Sequence, residues 1–217
     1  MSPDGSVSGM TALERRLRDA LAQTRLDAPR PLIDLELPFG IDRLLKPTLL
    51  GNLRQAAVLA PVLRRGDRLS MMFTVRSQLL RSHRGQISFP GGRRDDDDRD
   101  AVENALREAN EEVGLAPERV EIIGYLDDYP TMTRYIVTPV VGVVDAEELE
   151  LRVDAAEVAD VFEAPLEFVL DPASFKRSTL VRDGLKLPFY ELQWQQHRIW
   201  GATAGMLWNL ARKVADA

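Results

Sequence analysis

Hydrophobic positions recur along the chain with two periods, and these mark its elements. Leu13, Leu17 and Leu21 lie on one side of a helix that opens at Thr11, with Glu14 completing a capping-box pattern, and runs to about Arg25. Before it, Met1–Met10 is rich in Ser and Gly. After it, residues 28–47 hold four prolines and Gly40, the pattern of an extended connector with one short helical turn at Ile41–Leu45. Ala56–Leu63 is a short apolar run closed by Arg64-Arg65-Gly66-Asp67, which reads as a strand turning into its hairpin partner Leu69–Arg76. Ser77–Ser88 is polar, basic and irregular, and Phe89-Pro90-Gly91-Gly92 reads as a tight turn. Asp100–Val113 has a helical pattern, with Asp98 or Asp100 as its cap and Gly114 as its stop.

The remaining pattern is mostly β. Val120–Asp127, Tyr135–Val144 and Glu157–Phe162 read as strands, with a helix after Pro165 reaching Leu170. Phe175–Arg182 and Leu187–Trp194 form a second hairpin across Asp183-Gly184, Arg198–Trp200 is extended, and Thr203–Val214 is a closing amphipathic helix. Trp194, Trp200 and Trp208 read as packing aromatics. Mixed strands with few intervening helices predict a mixed sheet between helices, an α/β class fold.

Composition narrows the functional classes. The 217 residues suffice for one sizeable domain, and 45% hydrophobic with 29% charged residues is an ordinary globular balance. The absence of cysteine excludes thiol catalysis, disulfides and zinc–thiolate sites, and two histidines, His83 and His197, make a His-rich metal site a poor expectation. A net charge of −6 argues against a general nucleic-acid binder. No apolar run is long enough to span a bilayer and no signal-peptide pattern opens the chain, so a cytoplasmic location is expected.

The net charge conceals a local switch. Arg64 to Arg94 contains eight arginines and one acid, Asp67; Asp95 to Glu121 contains eleven acids and three arginines. Glu108, Glu111 and Glu112 fall at i, i+3 and i+4, which puts three carboxylates on one helical face. Their repulsion calls for a counter-charge, and a hard divalent cation such as Mg²⁺ or Mn²⁺ prefers such oxygen ligands. Basic side chains beside a metal-holding helix suit a phosphate substrate. The run Asp95–Asp98 reads as a solvated loop leading into the helix.

These residues also carry a resemblance. Leu106–Leu115, LREANEEVGL, resembles the core of the Nudix box, with Arg107, Glu108, Ala109, Glu111, Glu112, Gly114 and Leu115 in its places. Phe73–Gly92, FTVRSQLLRSHRGQISFPGG, resembles the second signature of the coenzyme A pyrophosphatase branch of Nudix hydrolases, matching at Thr74, Arg76, Ser77, Arg81, Gly85 and Phe89–Gly92. Glu157–Leu166 and Ile199–Ala204 are similar to later segments of that branch, so the resemblance covers about residues 50 to 215. The general box departs in one respect: counting back from Arg107, its first Glu falls on Arg99 and its Gly on Arg93, so Gly92 stands one residue early and Asp98 is the nearest acid.

The resemblance implies a Nudix α/β/α sandwich at 48–217, behind an N-terminal tail, helix and connector at 1–47. It implies Mg²⁺- or Mn²⁺-dependent hydrolysis of the pyrophosphate of coenzyme A or an acyl derivative. Glu108, Glu111, Glu112 and the Gly92 carbonyl would hold metal, and Arg107 would orient a carboxylate. Glu108 or Glu157 would act as base, and Arg76, Ser77, Arg81, His83 and Gly91 would contact substrate. Alternatives are a pyrophosphatase of ADP-ribose or NADH, or a non-catalytic nucleotide-binding module. Among partners, a small-molecule substrate is expected, with no nucleic acid and no membrane; a homodimer, using the first helix and connector, stays open.

Overall fold

The computed structural model describes residues 10–27, 30–33, 53–79, 84–182 and 185–217. The helical turn expected at Ile41–Leu45 and the hairpin turn at Asp183-Gly184 lie outside these residues. Among the described residues, no helix is long and apolar enough to cross a membrane.

Strand β1 (Arg54–Arg65) is the axis of the domain. It runs parallel to β7 (Tyr135–Asp145) in unbroken register from Arg54↔Tyr135 to Arg64↔Asp145. Both strands are covered on both faces, which is why they read as nearly continuous apolar runs. Alternation along β1 divides the core. Ala60 and Val62 face a cluster containing Leu17, Leu21, Leu207 and Leu210, and Ala57, Leu59 and Leu63 face Ala105, Ala109 and Val113. The sheet is therefore sandwiched between helix α2 (Ala101–Val113) on one side and α1 (Ala12–Leu21) with α4 (Ala202–Ala215) on the other.

The hairpin expected between β1 and β2 (Arg68–Arg76) forms only at its base. Pairing extends from Arg65↔Arg68 to Val62↔Met71, after which the strands part. Beyond the split, β2 pairs with β8 (Val158–Pro165) and with β3 (Ile87–Ser88), while β1 takes up β4 (Gly91–Arg93). The sequence reads Phe89–Gly92 as a turn; Gly91 and Gly92 are instead strand residues opposite Val58 and Ala57. β5 (Val120–Tyr125) and β6 (Tyr129–Pro130) complete this eight-stranded mixed sheet alongside β7.

A second, three-stranded sheet of β9 (Lys176–Arg182), β10 (Leu185–Trp194) and β11 (His197–Trp200) follows the short helix α3 (Leu166–Leu170). Aromatic packing anchors it: Trp208 of α4 stacks on Tyr190 at 4.6 Å between centroids, and Phe168 meets Trp194 at 4.9 Å.

Only half of the capping box at Thr11 forms. The Thr11 hydroxyl accepts from the Glu14 N–H at 3.1 Å, but the Glu14 carboxylate accepts from Arg18 at 2.9 Å and faces Arg64 at 3.4 Å. Glu14 is fully buried, so its charge needs the two guanidiniums more than the helix end needs a second cap. The Arg16 guanidinium donates to the Val214 carbonyl at 3.1 Å, and Leu17 and Leu21 are buried within this chain. Deleting most of the Leu17 side chain leaves a cavity between α1 and α4, so Leu17→Ala is expected to lower unfolding free energy by about 2–5 kcal/mol in chemical denaturation.

Candidate active site

The site occupies the gap where β1 and β2 part. α2 presents one face to it, and its frame is firmly set. The Asp100 side chain accepts from the N–H groups of Val102 and Glu103 at 2.9 and 3.0 Å, and Gly114 closes the helix in the left-handed conformation at φ 72°. Ala105, Ala109 and Val113 pack on the sheet, which fixes the rotation of the helix and directs Glu108 and Glu112 at β4.

Glycine is required in β4. A Cβ on Gly92 would overlap the Glu108 carboxylate, and one on Gly91, at φ 152°, would overlap the backbone of Ala57 and Val58. The Gly91 N–H donates to Glu112 Oε2 at 3.3 Å, and Arg76, at the end of β2, approaches Glu112 Oε1 at 3.6 Å. Glu112 is 2% exposed. Burial pushes its pKa up to about 7; Arg76 and the Gly91 N–H pull it down, while Glu108 and Glu157 raise it. Glu108 is also raised, first by burial, against the pull of Arg107, and Glu111 and Glu157 add to the rise. Glu157 acts on both Glu108 and Glu112, so its carboxylate shares their electrostatic neighbourhood.

Arg107 organises the outer side. Its guanidinium donates to both carboxylate oxygens of Asp98 at 3.0 and 2.9 Å, and lies 3.0 Å from Glu108 and 3.0 Å from Glu111. It also donates to the Arg93 carbonyl at 3.3 Å. Asp98 departs from the solvated reading of the aspartate run. It is 4% exposed, accepts the Asp95 N–H at 2.8 Å, and has its pKa held down chiefly by Arg107. The signal was present in its nearness to the box position for an acid, but the one-residue offset hid it. Asp95, Asp96 and Asp97 are exposed, as the charge run suggests.

The other expected site residues separate. Glu111 is turned to Arg107, with its side chain 60% exposed, away from the buried pair. Ser77 is buried, its hydroxyl donating to the Ala155 carbonyl and accepting from the Leu79 N–H, both at 3.3 Å. Its backbone N–H donates to the Glu157 carbonyl at 2.8 Å, so Ser77 ties the end of β2 to the start of β8 and brings Glu157 to the site. Arg81 and His83 lie outside the described residues. His197 stacks on Phe162 with centroids 3.7 Å apart.

Among the described residues, no three acidic or histidine side chains form a ready-made metal cage. The carboxylates are instead drawn onto Arg76 and Arg107. The donor set nevertheless fits a hard divalent cation. It is oxygen-only, Glu108 and Glu112 are one helical turn apart on one face, both carry raised pKa values that a positive charge would relieve, and two glycines leave the facing backbone bare.

Asp98→Asn keeps the shape but removes the charge from the Arg107 fork. The expected loss of stability at neutral pH is about 1–3 kcal/mol, toward the lower end because Arg107 is 27% exposed. Because Asp98 titrates lower in the folded state, its contribution is present above the unfolded carboxylate value of about 3.9 and is lost as pH falls through the folded value. Denaturation of both proteins across pH 2–7 should show the difference shrinking below about pH 4.

Comparison with known proteins places the fold and site in context. Residues 53–183 match the NUDIX domain family. A relative in Citrobacter koseri, described as the uncharacterized Nudix hydrolase NudL, is 42% identical over 176 residues, covering 79% of this chain and 90% of the relative. Its counterpart of the same description in Escherichia coli K12 is 42% identical over 163 residues, covering 75% and 84%. Among solved structures, a Caenorhabditis elegans Ap4A hydrolase binary complex aligns with a TM-score of 0.44 at 18% identity, covering 53% of this chain and 82% of that one. The NUDIX domain of Shewanella oneidensis NrtR, complexed with ADP ribose, aligns with a TM-score of 0.43 at 19% identity, covering 61% and 87%. By the family match and the identity of these relatives, the chain belongs to the Nudix hydrolase family.

Proposed function

We propose that this Nudix hydrolase cleaves the pyrophosphate of coenzyme A or an acyl derivative, giving 3′,5′-ADP and (acyl) 4′-phosphopantetheine. The observation that carries the reading is the seat of Arg76. Arg76 of the second signature stands 3.6 Å from Glu112 of the box, which supports a single site built from both motifs. Bound at Glu108 and Glu112, with the Gly92 carbonyl and Glu111 within the same loop-and-helix unit, Mg²⁺ or Mn²⁺ would supply charge neutralisation of the diphosphate and a more acidic water.

The protein's own groups do the rest. Arg76 can exchange its carboxylate partner for a phosphate oxygen, and the bare backbone of Gly91 and Gly92 allows an anion to approach closely. Arg107 restrains Glu108 and Glu111 through its contacts at 3.0 Å. Glu157 is exposed, lies close enough to raise both Glu108 and Glu112, and makes no ion pair among the described residues. This exposure and proximity support Glu157 as the group that takes a proton from the attacking water.

Incubation with coenzyme A, Mg²⁺ or Mn²⁺ and ¹⁸O-labelled water, with products identified by mass spectrometry, tests the reading. The expected products are 3′,5′-ADP and 4′-phosphopantetheine, one of them labelled; turnover of ADP-ribose with coenzyme A left intact would refute it. Glu112→Gln is expected to lower kcat by about 100-fold or more with the fold retained, and Glu111→Gln by less, since Glu111 faces solvent and Arg107.

A further inference from the structure

Strand alternation assigns the two sides of β4 to different tasks. At Gly92 the Cβ direction points into Glu108, on the α2 side. The next residue, Arg93, must then point to the opposite face of the sheet. Its register partner is Ala56, on the same face as Arg54, and Arg54 is in turn opposite Tyr135 of β7. The Arg54 guanidinium lies 4.2 Å from the Tyr135 ring centroid, a cation–π contact that holds the cation without neutralising it.

Here a groove of about 480 Å³ opens, lined by Arg54, Gln55, Arg93, Arg94, Asp95 and Asp96. Arg94 is a fixed wall, donating to Gln55 Oε1 at 2.6 Å, to the Asp98 carbonyl at 3.1 and 2.9 Å, and to the Arg99 carbonyl at 2.8 Å. Arg54 and Arg93 are exposed and make no ion pair among the described residues. Three arginines face two aspartates, leaving an excess of one positive charge with two uncommitted guanidiniums. Among the described residues, β4 pairs only with β1, and its outward backbone groups are held by side chains, the Gly91 N–H by Glu112 and the Arg93 carbonyl by Asn104 and Arg107, so the carboxylate side and the groove adjoin across Arg93.

We propose that this groove binds a phosphate monoester on the substrate, remote from the diphosphate that is cleaved, with Arg54 and Arg93 as its forked donors. The site rests on the coenzyme A reading above, in which that group is the ribose 3′-phosphate. A planar guanidinium fork matches phosphate oxygens bidentately, and Arg93 is one residue, about 3.8 Å of backbone, from the glycine against Glu108.

The test compares kcat/KM for coenzyme A and dephospho-coenzyme A in the wild type, Arg54→Gln/Arg93→Gln and Arg54→Lys/Arg93→Lys, with thermal unfolding checking each fold. The wild type should prefer coenzyme A, and the Gln pair should reduce that ratio by about 10- to 100-fold, mostly through KM, with the Lys pair intermediate. A wild-type ratio near one, or an unchanged ratio in a folded Gln pair, would overturn the groove while leaving the pyrophosphatase reading intact. If the wild type cleaves neither compound, the functional reading fails by itself. Calorimetry with 3′,5′-ADP and 5′-AMP then decides the groove. Preference for 3′,5′-ADP that disappears in the Gln pair supports it, and equal binding of both by wild type and variant refutes it.

Discussion

A carboxylate buried beside other carboxylates must be compensated, and at Glu112 that requirement reaches into most of the site. The helix face that seats Ala109 and Val113 on the sheet also carries Glu112 inward, to 2% exposure. Water is no longer available to it, so its compensation has to come from fixed groups. Arg76 supplies a charge from the end of β2, and Gly91 supplies an N–H from β4. Both depend on the parting of β1 from β2 beyond Val62, because that gap admits the glycine strand and leaves the β2 terminus facing the helix. The compensation is incomplete, and the raised pKa of Glu112 is its measure.

Arg107 solves a related problem at the outer edge. One guanidinium serves Asp98, Glu108, Glu111 and the Arg93 carbonyl. The connection from Arg93 to the helix start is thereby pinned at both ends, by the Arg107–Asp98 fork and by the Arg94 donors on the Asp98 and Arg99 carbonyls. A loop one residue longer than the general box can still deliver an acid to Arg107, since the fork fixes a position in space and not a position in the chain.

The sequence makes local features legible and leaves pairings obscure. The α2 helix could be read because its period, its Asp100 cap and its Gly114 stop all agree. The apolar runs of β1 and β7 were equally plain, being buried on both faces. Three residues of β4 were hidden by their composition: Gly-Gly suggests a turn, and only the partner strand shows that Gly is there to admit Glu108 and the β1 backbone. The division of β1 and β2 was invisible for the same reason, since strand periodicity does not say where a partner is exchanged. Asp98 was misread because a run of aspartates gives no sign of which member is buried. Glu14 looked like half of a cap because its spacing suits one, while Arg18, one turn on, and Arg64, fifty positions away, share its carboxylate.

Among the described residues, the arginines and carboxylates of the site form ion pairs with one another. In the described structure Arg76 is held by Glu112, and Arg107 is shared by Asp98, Glu108 and Glu111, with Asp95 at 3.9 Å. Any positive charge that satisfies Glu112 weakens its hold on Arg76, and any phosphate that engages Arg76 strengthens the need for positive charge at Glu112. Under the proposed function, cation and diphosphate favour one another through the same two residues, a reciprocal coupling that follows from linkage when both ligands draw on one ion pair. Arg54 of β1 and Arg93 of β4, on the far face of the sheet, stand outside those ion pairs. Their charges are uncommitted before any ligand arrives, which suits them to recognise a group that stays unchanged while the chemistry proceeds on the other side of the strand.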